Sequence, residues 1–178
     1  MTTSLFIESN LRYTTSFAGS AYAEAFVHPA LISHPNPLRV AVISMAPLAL
    51  LQEILKHKKV ETVVIFTSKK ILNFSLECFA HLNDCDDIEG YGAKCLDSER
   101  VLVVDMEECD SSLEEFESND GIHIQELYYD AVFMDSETLS YENMKNVFDM
   151  VDYVPDSIVV VSQGSAPSLD AIINEDID

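Results

Sequence analysis

Residues 38–67 read LRVAVISMAPLALLQEILKHKKVETVVIFT, and this stretch decides the fold. Residues 39–44 (RVAVIS) are a short β-branched run that begins just after His34-Pro35-Asn36-Pro37, a strong loop signal. From 48 to 56 the apolar positions fall on one helical face. Pro47 is tolerated in a first helical turn, where its missing N–H has no intrahelical partner to lose. Lys56, His57, Lys58 and Lys59 follow at the C-terminal end, where cations suit the helix dipole. Residues 62–66 (TVVIF) then read as a second buried strand, and 70–81 as a second helix.

Three more strands follow, at 100–104 (RVLVV), 129–134 (YDAVFM) and 157–162 (SIVVVS). Residues 142–151 have helical periodicity, and 110–119 read as a helix or a solvated loop. Five short apolar strands with helices between them point to a mostly parallel, doubly wound α/β sheet. The chain shows no internal repeat and no low-complexity linker. Ligands in such sheets sit beyond the carboxyl ends of the strands. The positions to inspect are therefore 44–47, 67–69, 105–106, 135–138 and 163–165.

The 178 residues suit one compact domain that buries about 70 % of its unfolded surface. Thirty-one acidic residues against ten basic ones give a net charge of −21, while a 48 % hydrophobic content separates the chain from charged disordered sequences. That charge excludes a general nucleic-acid binder and an anionic membrane surface, and suits a polycationic small molecule or a basic partner. Fifteen of the acids lie between 83 and 126, with only Lys94 and Arg100 as counter-charges, and read as a solvated face.

Cys78, Cys85, Cys95 and Cys109 form no C-x-x-C pair and are expected to be free, reduced thiols. His28, His34 and His57 share no metal-ligand spacing, so no metal site is expected. The N-terminus lacks the basic and apolar regions of a signal peptide. The apolar stretch 40–51 is interrupted by Ser44 and Pro47 and is too short to span a bilayer. The expected location is the cytoplasm.

The strand ends are unusual. A nucleoside site after the first strand needs glycines for close backbone approach, yet the turn is Ser44-Met45-Ala46-Pro47. An acid that would take ribose hydroxyls after the second strand is replaced by Thr67-Ser68-Lys69-Lys70. Asp135, directly after the fourth strand, reads either as a general base toward an amine or as a turn and capping residue. Ser136 and Ser162 have no base at motif spacing, so a hydrolase triad is not supported. Met144 and Met150 read as core.

The run Tyr22-Ala23-Glu24-Ala25-Phe26-Val27-His28-Pro29-Ala30-Leu31-Ile32-Ser33-His34-Pro35-Asn36-Pro37 resembles the polyamine aminopropyltransferases, the spermidine synthase family. The likeness continues without a gap through 39–64, where Leu51-Gln52-Glu53-Ile54-Leu55-Lys56-His57 matches a family helix. It extends to the strand and loop Tyr129-Asp130-Ala131-Val132-Phe133-Met134-Asp135-Ser136 and to Gln163-Gly164, covering roughly 19–170 in the family's order.

The resemblance implies a Rossmann-like sheet of the class I methyltransferase and spermidine synthase type, shortened at both ends. Residues 1–21 would be the remnant of an N-terminal β-hairpin segment and 22–178 the Rossmann-like domain. Only 14 residues follow Gly164, where a final antiparallel hairpin is expected. It also implies polyamine biosynthesis, with decarboxylated S-adenosylmethionine donating an aminopropyl group to putrescine or another polyamine. Asp135 would be the base, Tyr22, Asp135 and Gln163 would contact the polyamine, and Asp105 would meet the donor's adenine.

The departures sit at the donor. The family's GGGDGG turn reads Ser44-Met45-Ala46-Pro47-Leu48-Ala49, so its aspartate has become Pro47. The ribose-binding glutamate has become Thr67, Met106 replaces a glycine, Thr138 and Leu139 replace an Asp-Pro pair, and Ala23 stands where a contacting side chain is expected. Each lost carboxylate contact costs about 1.5–3 kcal/mol. At about 1.4 kcal/mol per decade, donor affinity should fall by several decades. The reading is a non-catalytic spermidine synthase-like protein acting as a binding or regulatory subunit, as a homo-oligomer or with an intact synthase-like chain. The alternatives are an active aminopropyltransferase and an acidic polycation-binding module.

Overall fold

The structure is a computed structural model that describes residues 4–7, 10–14, 17–44, 46–88, 94–105, 129–135 and 157–162. Strands β1 (Ser4–Ile7) and β2 (Asn10–Thr14) pair antiparallel, with an irregularity in register between Leu5 and Phe6. Helix α1 (Phe17–Ser33) follows, then β3 (Arg39–Ile43), α2 (Pro47–Leu55), β4 (Thr62–Thr67) and α3 (Lys69–Cys78). Two short 3-10 turns, Ala80–Asn83 and Cys95–Asp97, lead to β5 (Val101–Asp105). Strands β6 (Ala131–Asp135) and β7 (Ile158–Ser162) complete the sheet.

The five strands expected from sequence all form, and they pair in parallel in the order β5-β4-β3-β6-β7. The order reverses direction at β3, which makes the gap between the ends of β3 and β6 the topological switch point. Strand β3 is buried on both faces: Val40 to Ile43 are all 0 % exposed, as a central parallel strand requires. Asp130 ties its start to β6, because one carboxylate oxygen accepts from the N–H groups of both Leu38 and Arg39 at 2.8 Å.

One face of the sheet carries the main core. Val40, Val42, Val63, Ile65 and Phe133 pack with Val27 and Leu31 of α1 and with Leu48, Leu51, Ile54 and Leu55 of α2. Pro47 opens α2 in the first helical turn, as expected. Ser68 caps α3, its hydroxyl accepting from the Lys70 N–H at 3.2 Å. The helix expected over 70–81 stops at Cys78 and tightens into the first 3-10 turn. Helix α1 carries no amphipathic period, and it passes through Pro29, where one backbone donor is missing. The segments 110–119 and 142–151, with Met144 and Met150, lie outside the described residues.

The cysteine expectation is corrected in part. Cys85, just after the first 3-10 turn, and Cys95, the first residue of the second, form a disulfide, and both are fully buried in the main core. Spacing could not show this, since a separation of ten positions fits many loops. Cys78 is free and exposed, and Cys109 lies outside the described residues. Among the described residues, no helix is long and apolar enough to cross a membrane.

The packing of α2 makes a direct prediction. Leu51→Ala empties a site with no solvent exposure at the centre of the main core and should destabilise the chain by about 2–5 kcal/mol in urea unfolding. A loss well under about 1 kcal/mol would show that α2 does not pack as described.

Candidate functional site

The parallel sheet brings the ends of β3, β4, β5 and β6 to one edge. At the end of β3, Ser44 is buried, and its hydroxyl accepts from the Ala46 N–H at 3.0 Å. This bond closes the turn on itself. Pro47 follows as the first residue of α2, with no N–H to offer a ligand and no side chain that could accept a hydrogen bond. Met45 lies outside the described residues.

At the end of β4, Thr67 is 2 % exposed, and its hydroxyl has no hydrogen-bond partner among the described residues. The register places Thr67 beside Asp105, the last residue of β5. Asp105 is also buried, at 7 % exposure. One of its oxygens accepts from the backbone N–H of Lys69 at 3.4 Å, and the other lies 3.4 Å from the Lys69 Nζ. The carboxylate thus sits at the N-terminus of α3, where the helix dipole favours an anion, and the first side chain of that helix folds onto it. Sequence reasoning missed this pair, because Lys69 and Asp105 meet only through the β4–β5 register.

Tyr22 is half-buried on α1 and stacks on Phe26, with ring centroids 5.7 Å apart. Phe26 in turn packs on Phe133 of β6 at 5.8 Å. Ala23, beside Tyr22, is buried. Asp135 is the last residue of β6 and pairs in register with Ser162, so its backbone is at the switch point; its side chain lies outside what the structure describes. Gln163, Thr138, Leu139, Met106 and Ser136 also lie outside the described residues. Among the described residues, no cluster of three His, Cys, Asp or Glu could hold a metal ion.

A nucleoside needs free acceptors for its ribose hydroxyls and open backbone for its close approach. The ends of β3 and β4 supply a closed turn, a proline and one buried hydroxyl, and the carboxylate of β5 is engaged by Lys69. Among the described residues, the ends of β3 and β4 offer no carboxylate to ribose hydroxyls, and the carboxylate of β5 contacts Lys69.

A doubly wound α/β sheet with five parallel strands is the class of protein these elements define. The spermine/spermidine synthase domain family matches residues 19–170, and the chain belongs to that family. The polyamine aminopropyltransferase of Pyrococcus abyssi is 26 % identical over 160 residues, covering 74 % of this chain and 57 % of that protein. That of Alkalilimnicola ehrlichii is 46 % identical over 50 residues, covering 28 % of this chain and 18 % of its own length. Among solved structures, the spermidine synthase of Thermotoga maritima matches with a TM-score of 0.49 and 18 % identity, over 71 % of this chain and 38 % of that one. The chain spans less than two thirds of the length of these relatives.

The orphaned hydroxyl gives a testable outcome. Thr67→Val keeps the shape and removes a buried polar atom that has no partner among the described residues, so it should leave stability unchanged or raise it by about 1 kcal/mol in denaturant unfolding. A loss above about 1 kcal/mol would show that the hydroxyl is bonded in solution.

Proposed function

We propose that this chain is a non-catalytic spermidine synthase-like protein that keeps the family's sheet and serves as a binding or regulatory subunit for an intact synthase-like chain. The observation that carries this reading is the Lys69–Asp105 pair: the carboxylate at the end of β5 is turned inward onto α3. The closed Ser44–Ala46 turn and Pro47 support it from the neighbouring strand end. Together they remove donor contacts and leave the strands and helices whole. Asp135 at the switch point and Tyr22 on α1 would then be retained family positions that shape a polyamine-binding surface.

Calorimetric titration of the full chain with decarboxylated S-adenosylmethionine, with and without putrescine, tests the first half of this reading. No heat is expected up to millimolar ligand, and micromolar binding would overturn it. Co-elution with an intact synthase-like chain tests the second half, and the expected result is a complex that forms without the donor. Salt-sensitive spermidine heat with no such complex would favour a simple polycation binder, in keeping with the charge of −21.

A further inference from the structure

A second polar network lies away from the strand ends, where α1 meets α2. Glu53 of α2 has a side chain only 6 % exposed, and both of its oxygens lie 2.6 Å from the Lys56 Nζ. One of them also lies 3.1 Å from Nε2 of His28 on α1. The other nitrogen of His28, Nδ1, is 2.8 Å from Nε2 of His57, just beyond the end of α2.

The proton positions follow from chemistry. A carboxylate held by an ammonium group is acceptor-only, so His28 Nε2 carries a hydrogen. In neutral His28 the Nδ1 is then bare, and His57 must donate to it from Nε2. One added proton is accommodated, because it can sit on the outer Nδ1 of His57 with both bonds kept. Two added protons are not. They place N–H against N–H at 2.8 Å, with two positive charges face to face.

We propose that Glu53, His28 and His57 form a proton-sensitive latch between α1 and α2, closed while the two rings share at most one added proton and opened when both are charged. The latch sets the seat of α1, and with it the placing of Phe26 against β6 and of Tyr22 on Phe26. Burial foremost, and then the charge of His28, hold His57 below the ordinary imidazole range against the pull of Glu53. Among the described residues, Glu24 on α1, Lys58 after α2, and Asp84 and Asp87 line the same groove as Glu53 and Lys56. A lowered native pKa means that the unfolded chain binds the proton more readily. The latch's stability is therefore present above the unfolded value of about 6.5 and is lost as pH falls through that value toward the lowered one.

The test is a histidine-ring nitrogen NMR titration of the full chain from about pH 8 to about pH 5, a range that brackets the ordinary imidazole value, with His57→Gln to assign the signal. The latch predicts hydrogen on Nε2 of both rings at the alkaline end and a His57 midpoint below that of an exposed histidine. A His57 midpoint at the ordinary value, or Nδ1-protonated neutral rings, would overturn it. Thermal unfolding supplies a second reading. In His57→Gln the new side-chain amide can donate to His28 Nδ1 yet takes no proton. The variant should therefore lose less of its melting temperature than the wild type between about pH 7 and about pH 5. Parallel profiles would also overturn the latch, and should the variant not fold, the wild-type titration decides alone.

Discussion

Everything in this chain hangs on the parallel pairing of β3 with β4 on one side and β6 on the other. A strand with Val40 to Ile43 at no solvent exposure must have both backbone edges paired and both faces covered. The Asp130 carboxylate fixes where that pairing starts, since it closes the backbone donors of Leu38 and Arg39. Once β3 is placed, the parallel pairing of β4 and β5 brings the ends of β3, β4 and β5 to one edge. The sequence at that edge then decides what the sheet can bind.

Among the described residues, polar groups at the ends of β3 and β5 meet partners from their own chain. Ser44 satisfies the turn after β3, Pro47 removes a donor, and Lys69 folds onto the buried Asp105. None of these changes disturbs the core, which lies one layer deeper in Val40, Val42, Ile65 and the apolar face of α2. The core lies in the strand interiors, so residues at the strand ends can vary without disturbing the fold.

The strands were legible because parallel strands buried on both faces are written as continuous β-branched runs, and all five such runs became strands. Helix α1 was harder, because its alanines, phenylalanines and valine are spread around the helix and Pro29 interrupts it. That Pro47 and Thr67 carry no carboxylate could be read directly. Which side chains meet across the fold could not. Lys69 reaches Asp105 across 36 residues, His28 reaches His57 across 29, and Cys85 joins Cys95 in a segment whose spacing fits no motif. Each of these contacts depends on tertiary register, and no local period encodes it.

If the closed strand ends abolish group transfer in a chain that still folds, the loss is visible in the product itself. The decisive experiment is mass-spectrometric detection of spermidine after the folded chain is incubated with decarboxylated S-adenosylmethionine and putrescine. Closed strand ends predict no product above the uncatalysed background, with Asp135→Asn indistinguishable from the wild type. Product that forms with the wild type and disappears with Asp135→Asn would contradict them.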